Sequence, residues 1–226
     1  MNKINFQLVI VAAFLASLAA SGCVTFPNDN LAKVGRLPDK SAHQHRPSVY
    51  LQAKAYGELL TDGKAPVESA SHTQRFKEVV DNTTKNTTLF RTYTMDEFKA
   101  REMDYGIKLE LQIFIDQGKQ AVSGTIIGLT LGIIPAPLTE NYRLTVTVLD
   151  RESRLVNSFD VEDSVTTWIG ILVIPLMGHG SQSPNTVIHQ VWENMVRTAY
   201  KKLAEQNILR YAQQPAQSDL HPALAL

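Results

Sequence analysis

The sequence predicts an α/β domain of the α+β kind: two layers, a mixed and mostly antiparallel sheet with helices on one face, plus two apolar insertions. Three observations predict it. Ile107, Leu109, Leu111, Ile113 and Ile115 alternate with Lys108, Glu110, Gln112 and Phe114, the period of two that marks a strand with one buried face. Tyr142, Leu144, Val146 and Val148 repeat the alternation, and a polar turn at residues 150–154 leads to a run in which Leu155, Phe159, Val161 and Val165 share a face. Two such runs around a short turn make a hairpin. Near the end of the chain, Ile188, Val191, Met195, Ala199 and Leu203 recur at spacings of three or four, which is a helix with one apolar stripe.

In chain order, Val49, Leu51, Ala53 and Ala55 predict a first strand, a weaker one because alanine is a poor strand former. Residues 71–81 hold Phe76, Val79 and Val80 at helical spacing, and the Asn82-Thr83-Thr84 and Asn86-Thr87-Thr88 sequons read as a polar loop. A short strand at 89–93 precedes Thr94-Met95-Asp96-Glu97, a T-x-x-E capping box that opens a short helix through Phe98. The long strand at 105–115 and the hairpin at 142–149 and 155–165 follow. The last helix runs from 184 to 209, with Ser183 as cap, Pro184 at its first position and Glu193 set to pair with Arg197. Ile107, Leu109, Leu111, Tyr142, Leu144 and Val146 should form the core face that this helix covers.

Composition narrows the function classes. The 226 residues are 44% apolar and 19% charged, with 22 basic and 22 acidic side chains and one cysteine. Such a chain is neither disordered nor a disulfide scaffold nor a fibre. A formal charge of zero argues against a nucleic-acid partner, because neutralising phosphates needs a basic surplus.

The amino terminus states a destination. Lys3 is followed by an apolar segment from residue 4 to 20, broken only by Asn5, Gln7 and Ser17, too short for a transmembrane helix and suited to a secretory signal peptide over 1–22. Ala20-Ser21-Gly22-Cys23 resembles the bacterial lipobox, with Ala20 where leucine is usual. That resemblance implies a lipoprotein with acyl chains such as palmitate on Cys23, which becomes the mature amino terminus. Its partner is then the lipid bilayer, and since each buried methylene contributes about 0.8 kcal/mol, several chains hold permanently. Val24 follows the cysteine in place of the aspartate that tends to retain such proteins in the inner membrane. The expected location is the outer membrane, facing the periplasm.

Residues 23–46 are polar and irregular, with Pro27, Asn28, Asp29, Asn30, Gly35 and Pro38, and predict a lipidated tether. Residues 47–211 are then the periplasmic α/β domain, and 212–226, with Pro215 and Pro222, a flexible tail.

Two apolar segments stand out. Residues 121–138 contain no charge, and Gly124, Gly128 and Gly132 recur every four residues, a spacing that on a helix makes a strip for close backbone contact. Residues 168–177 form the second, with Trp168, Ile169, Leu172 and Ile174. Packed on each other they would make a paired lobe in which Gly128 admits no side chain. Left exposed, they would mark an interface with a membrane or with another subunit; insertion into a membrane is the remaining alternative, although continuous apolarity does not fit the alternating strands of a β-barrel. The candidate interface residues are therefore Gly124, Gly128, Gly132, Trp168, Ile169, Leu172 and Ile174.

Catalytic motifs are wanting. His43 and His45 lie in the tether, where a metal would lack a supporting shell, and His179 between Gly178 and Gly180 reads as a turn residue. There is no nucleophile elbow and no phosphate loop. Asp160, Glu162 and Asp163 are the one carboxylate group, and Asp160 with Glu162 shares a face that simply meets water. No catalytic residue, cofactor or metal is expected.

Asp104-Tyr105 leading into the long strand, Tyr142-Arg143-Leu144-Thr145-Val146 ending at Asp150, and the closing amphipathic helix together resemble a group of outer-membrane lipoproteins. These have an α/β domain similar to the TolB amino-terminal domain and include the curli-secretion lipoprotein and activators of penicillin-binding proteins. The resemblance covers residues 48–208 and implies the fold and an envelope location, with no functional residue attached. The expected function is a binding or assembly module of the cell envelope, not an enzyme, with an envelope protein or a second copy as partner. The alternative is a cell-envelope hydrolase with a site of dispersed carboxylates.

Overall fold

The computed structural model describes residues 22–37, 46–59, 67–170 and 183–209. The leader up to residue 21 and the expected tail at 212–226 lie outside the described residues. Six strands form one sheet: β1 (Gly22–Pro27), β2 (Ser48–Leu59), β3 (Thr92–Thr94), β4 (Tyr105–Ile115), β5 (Ala136–Asp150) and β6 (Leu155–Gly170), in the spatial order β1-β6-β5-β4-β2-β3. The pairs β1–β6, β6–β5 and β5–β4 are antiparallel, while β4–β2 and β2–β3 are parallel. The mixed, mostly antiparallel sheet expected from the sequence is present. Helices α1 (Ala70–Lys85) and α3 (Pro184–Glu205) cover one face, and a shorter α2 (Gln117–Leu129) stands between β4 and β5.

The alternation in β4 and β5 reads directly into burial. Ile107, Leu109, Leu111, Tyr142, Leu144 and Val146 are all buried, as expected, and with Val49, Leu51, Ala53 and Ala55 of β2 they form the floor under the helices. At about 25 cal/mol for each Å² of apolar area removed from water, this floor is the main favourable contribution to folding. The opposite face carries polar pairs between strands, Tyr56 with Glu110, Arg143 with Glu162, and Thr145 with Asp160.

Several elements depart from the sequence reading. Leu155 is exposed and not in the core, because the β5–β6 register shifts between Val148 and Leu149 and sets Leu155 opposite Leu149. Helix α1 runs one turn further than residue 81. Thr83 and Thr84 are buried there, their hydroxyls donate to the carbonyls of Val79 and Val80, and the Thr84 hydroxyl also meets that of Tyr200 on α3. The segment after β3 is a 3-10 helix at Glu97–Glu102, and its cap is Asp96, which accepts from the Phe98 amide, in place of the predicted Thr94. Helix α3 starts where predicted, with Ser183 accepting from Thr186 and Pro184 in the first turn. Its buried stripe is wider than expected and takes in Trp192, Val196 and Tyr200: Trp192 meets Phe76 of α1 and Tyr142 of β5, and Tyr200 meets Thr84 of α1 and the ring of Phe90.

The expected tether departs most. Gly22–Pro27 is an edge strand paired with β6, and Val24 and Thr25 are buried. The residues after it are stitched to the body: the Asn28 amide donates to the Ser164 carbonyl, the Val34 amide to Asn194 Oδ1, and Arg197 Nη1 to the Gly35 carbonyl. Asn, Asp and Gly signal a loop, but their short polar groups also bind the backbone of a neighbour.

One lock fixes the entry of β4. The amide and hydroxyl of Ser48 both donate to Asp104 Oδ2, at 2.8 and 2.7 Å, and the Asp104 amide returns a bond to Ser48. Burial opposes ionisation of Asp104, but the Ser48 bonds, with Arg91 and Arg151 nearby, outweigh it and hold the carboxyl below its usual range. A carboxylate with a lowered folded pKa stabilises above the unfolded value, about 3.9, and that contribution is lost as pH falls through the folded value. Asp104→Ala is therefore expected to cost about 1–3 kcal/mol at neutral pH by stranding the buried Ser48 amide. The gap to the parent should narrow below about pH 4, as read by denaturant unfolding across pH. A gap that is constant down to acid would refute the assignment.

Candidate functional site

Two places hold the chemistry, and β6 connects them. The first is the end of the sheet where β1 begins and β6 stops. In register, Cys23 faces Ile169 and Val24 faces Trp168 across one strand pair, while Ala136 and Pro137 face the same Ile169 and Trp168 across the next. Cys23 therefore stands two strand spacings, about 10 Å, from the start of β5. The cysteine is free and exposed.

The chain enters β5 from a tight turn at residues 130–135, closing α2. Leu131 and Gly132 take left-handed φ values of 50° and 74°, which lets the amides turn back onto the helix. Thr130 N donates to Ile126 O, Gly132 N to Ile127 O and Ile133 N to Thr130 O. The two apolar segments do meet here, since a Cβ on Gly170 would come within 2.8 Å of Pro135 Cα. They do not meet through the glycine strip. Among the described residues nothing lies within 4 Å of a Cβ placed on Gly124, Gly128 or Gly132, so the close packing expected there is absent among them. The only residues that could use the strip are those of another molecule or the undescribed segments. Trp168 is part exposed and Ile169 half-buried at the end of β6, while Leu172 and Ile174 lie outside the described residues.

The open space at Gly128 reverses the expected effect of filling it. Alanine is favoured over glycine by about 0.5–1 kcal/mol in a helix interior and by less in a last turn, where Gly128 stands, so Gly128→Ala should raise stability by a fraction of that amount in thermal or denaturant unfolding. A loss would mean that something packs on the strip.

The second place is a cavity of about 320 Å³ between α3 and the strap of residues 27–34 that leaves β1. Asp163, buried at 4% exposure, reaches it from the sheet, with Asp29 and Lys33 on the strap and Glu193 and Arg197 on the helix. Its Oδ1 accepts from the Ser164 amide at 2.8 Å and from the Asn30 amide at 3.3 Å. Burial raises its pKa, against those two hydrogen bonds. Arg197 Nε contacts Glu193 at 2.9 Å, and Lys33 contacts Asp29 at 3.5 Å.

The carboxylate group seen in the sequence is divided by the sheet. Asp160 and Glu162 lie on the open face, bonded to Thr145 and Arg143, and Asp163 lies beneath the helices. The signal for Asp163 was in the alternation itself, since it is in phase with Val161 and Val165. Among the described residues no group of three His, Cys, Asp or Glu side chains is placed to hold a metal ion. His43, His45 and His179 lie outside them.

Fold and site together define a mixed α/β domain with an apolar rim beside its one cysteine and an acid-floored cavity under a strap. No protein-family model matches the chain, and no curated protein matches it. Among solved structures it is similar to PelC from Paraburkholderia phytofirmans. A single-substitution variant crystallised as a dodecamer gives a TM-score of 0.34 at 9% identity, covering 80% of this chain and 98% of that one. A second PelC dodecamer gives 0.32 at 7%, covering 86% and 99%. At those values no residue, partner or activity transfers.

Proposed function

We propose that the chain is a lipoprotein held in the outer membrane by acyl chains on Cys23, facing the periplasm and acting there as a binding or assembly module of the cell envelope. The observation that carries this reading is Ala20-Ser21-Gly22-Cys23 directly after an apolar leader, with the only cysteine of the chain at the position a lipid would take. The exposure of Cys23 at the outer end of an edge strand is compatible with it. The resemblance to outer-membrane lipoproteins with TolB-like domains points the same way. In this reading the body works by contact, with an envelope protein or a second copy as partner.

Metabolic labelling with palmitate tests the anchor, since the label should be lost in Cys23→Ser. Label that persists there refutes it. Crosslinking in intact cells followed by copurification identifies the contact.

One observation favours the hydrolase alternative: Asp29, Asp163 and Glu193 line a single cavity. Two of the three acids are already engaged by cations and the third by backbone amides, which leaves no carboxylate poised to activate water. Release of soluble fragments from peptidoglycan by the purified protein, abolished in Asp163→Asn, would establish the alternative in place of the binding role.

A further inference from the structure

We propose that the turn between α2 and β5, together with Trp168, is a second membrane contact that rests in the interface of the same bilayer that holds Cys23. The inference deepens the lipoprotein reading and rests on it for the orientation of the molecule.

Four observations converge on this end of the sheet. Leu129, Leu131, Ile133 and Ile134 are 81%, 52%, 55% and 53% exposed within six consecutive residues. Elsewhere among the described residues the large exposed apolar side chains stand alone or in pairs, as Val67 and Phe98 do, which is ordinary for a surface. Residues 121–138 carry no charge, so the rim presents no group that must be stripped of water. The turn satisfies its own amides. Those of Thr130, Leu131, Gly132, Ile133 and Ile134 all find acceptors on the segment from Ile126 to Thr130. Donors that are paired within the turn need no partner from hydrocarbon, which offers none.

The register adds position. The turn leads into Ala136, which shares its β6 neighbour Ile169 with Cys23, so acyl chains on that cysteine leave the molecule beside the apolar turn. Trp168 lies on the same rim, and an indole with one polar and one apolar end suits the headgroup region. No described helix is long and apolar enough to cross a membrane, and α2 is 13 residues long. The geometry is that of an element lying in the interface, not one spanning it.

The full-length acylated protein, reconstituted into phosphatidylethanolamine and phosphatidylglycerol vesicles with brominated acyl chains, tests the proposal through tryptophan emission. The chain has two tryptophans, and Trp192 is buried at 1% exposure in the core, so lipid quenching reports Trp168. The expected result is quenching in the parent and its loss in Trp168→Phe. Loss should also follow in Ile133→Asp/Ile134→Asp, a double variant at exposed positions that retains both tryptophans. Acylated protein with unquenched Trp168 overturns the inference and leaves the lipoprotein reading standing. Crosslinking of the turn between two copies, again with unquenched Trp168, overturns it in favour of self-association. If the chain is recovered without acyl groups the lipoprotein reading fails. The inference is then judged on vesicles mixed with that protein, quenching supporting it and its absence refuting it.

Discussion

Replacing Trp192 by alanine is expected to lower the free energy of unfolding by about 3–5 kcal/mol, the range for truncating a large buried aromatic. Its ring meets Phe76 of α1 edge-on at 6.1 Å and Tyr142 of β5 at 6.0 Å, with His72 at 6.4 Å and the Arg75 guanidinium over its face at 5.5 Å. Removing it opens a cavity walled by two helices and the sheet, elements that cannot all move inward at once. Trp192→Phe should cost clearly less. The indole N–H is buried without an acceptor among the described residues, so phenylalanine removes volume but breaks no hydrogen bond. Denaturant unfolding of both variants checks this. Equal losses, or a loss under 1 kcal/mol for alanine, would show that the three elements are not joined at Trp192.

Gly170→Ala should destabilise by about 1–3 kcal/mol, the cost of overpacking. The added Cβ would sit 2.8 Å from Pro135 Cα and 3.0 Å from the Gly132 carbonyl oxygen, both backbone atoms, so no rotamer change relieves it. At about 2–4 °C per kcal/mol for a chain of this size, the shift is readily seen by calorimetry. It runs opposite in sign to the gain expected for Gly128→Ala. If Gly170→Ala raised the melting temperature as Gly128→Ala should, the packing of the 130–135 turn on the end of β6 would be wrong.

The strands that face the helices were legible because burial of one side writes a period of two into the sequence. Ile107 to Ile115 and Tyr142 to Val148 occupy the faces that the pattern assigned them. The ends of the sheet were not legible, for a physical reason in each case. Phe26 and Pro27 belong to an edge strand whose stability comes from pairing with Thr166 and Val165, and so short a strand carries no periodicity of its own. Ala136 to Leu138 and Trp168 to Gly170 extend β5 and β6 inside runs so uniformly apolar that strand, helix and loop are all compatible. The same uniformity hid α2, whose glycines at 124 and 128 suited a packed strip and in fact face open space. Asp163 was missed as a separate site because its sequence neighbours Asp160 and Glu162 drew it into a group that the pleat then split. Leu155 shows the limit of the period-two argument, since one irregularity in register moves a side chain to the other face.

If Cys23 carries the proposed lipid, its pairing with β6 also sets how far the body can travel from that anchor. Residues 23–46, drawn out as a free linker, would let it range about 80 Å from the bilayer at 3.3–3.6 Å per residue. With residues 23–27 in the sheet and residues 28–35 bonded to β6 and α3, that radius shrinks to the dimensions of the domain itself. On the proposed lipoprotein reading, a protein so mounted would not search the depth of the periplasm. Whatever it engages would then have to arrive at the membrane surface, where it would meet a body whose orientation is already fixed.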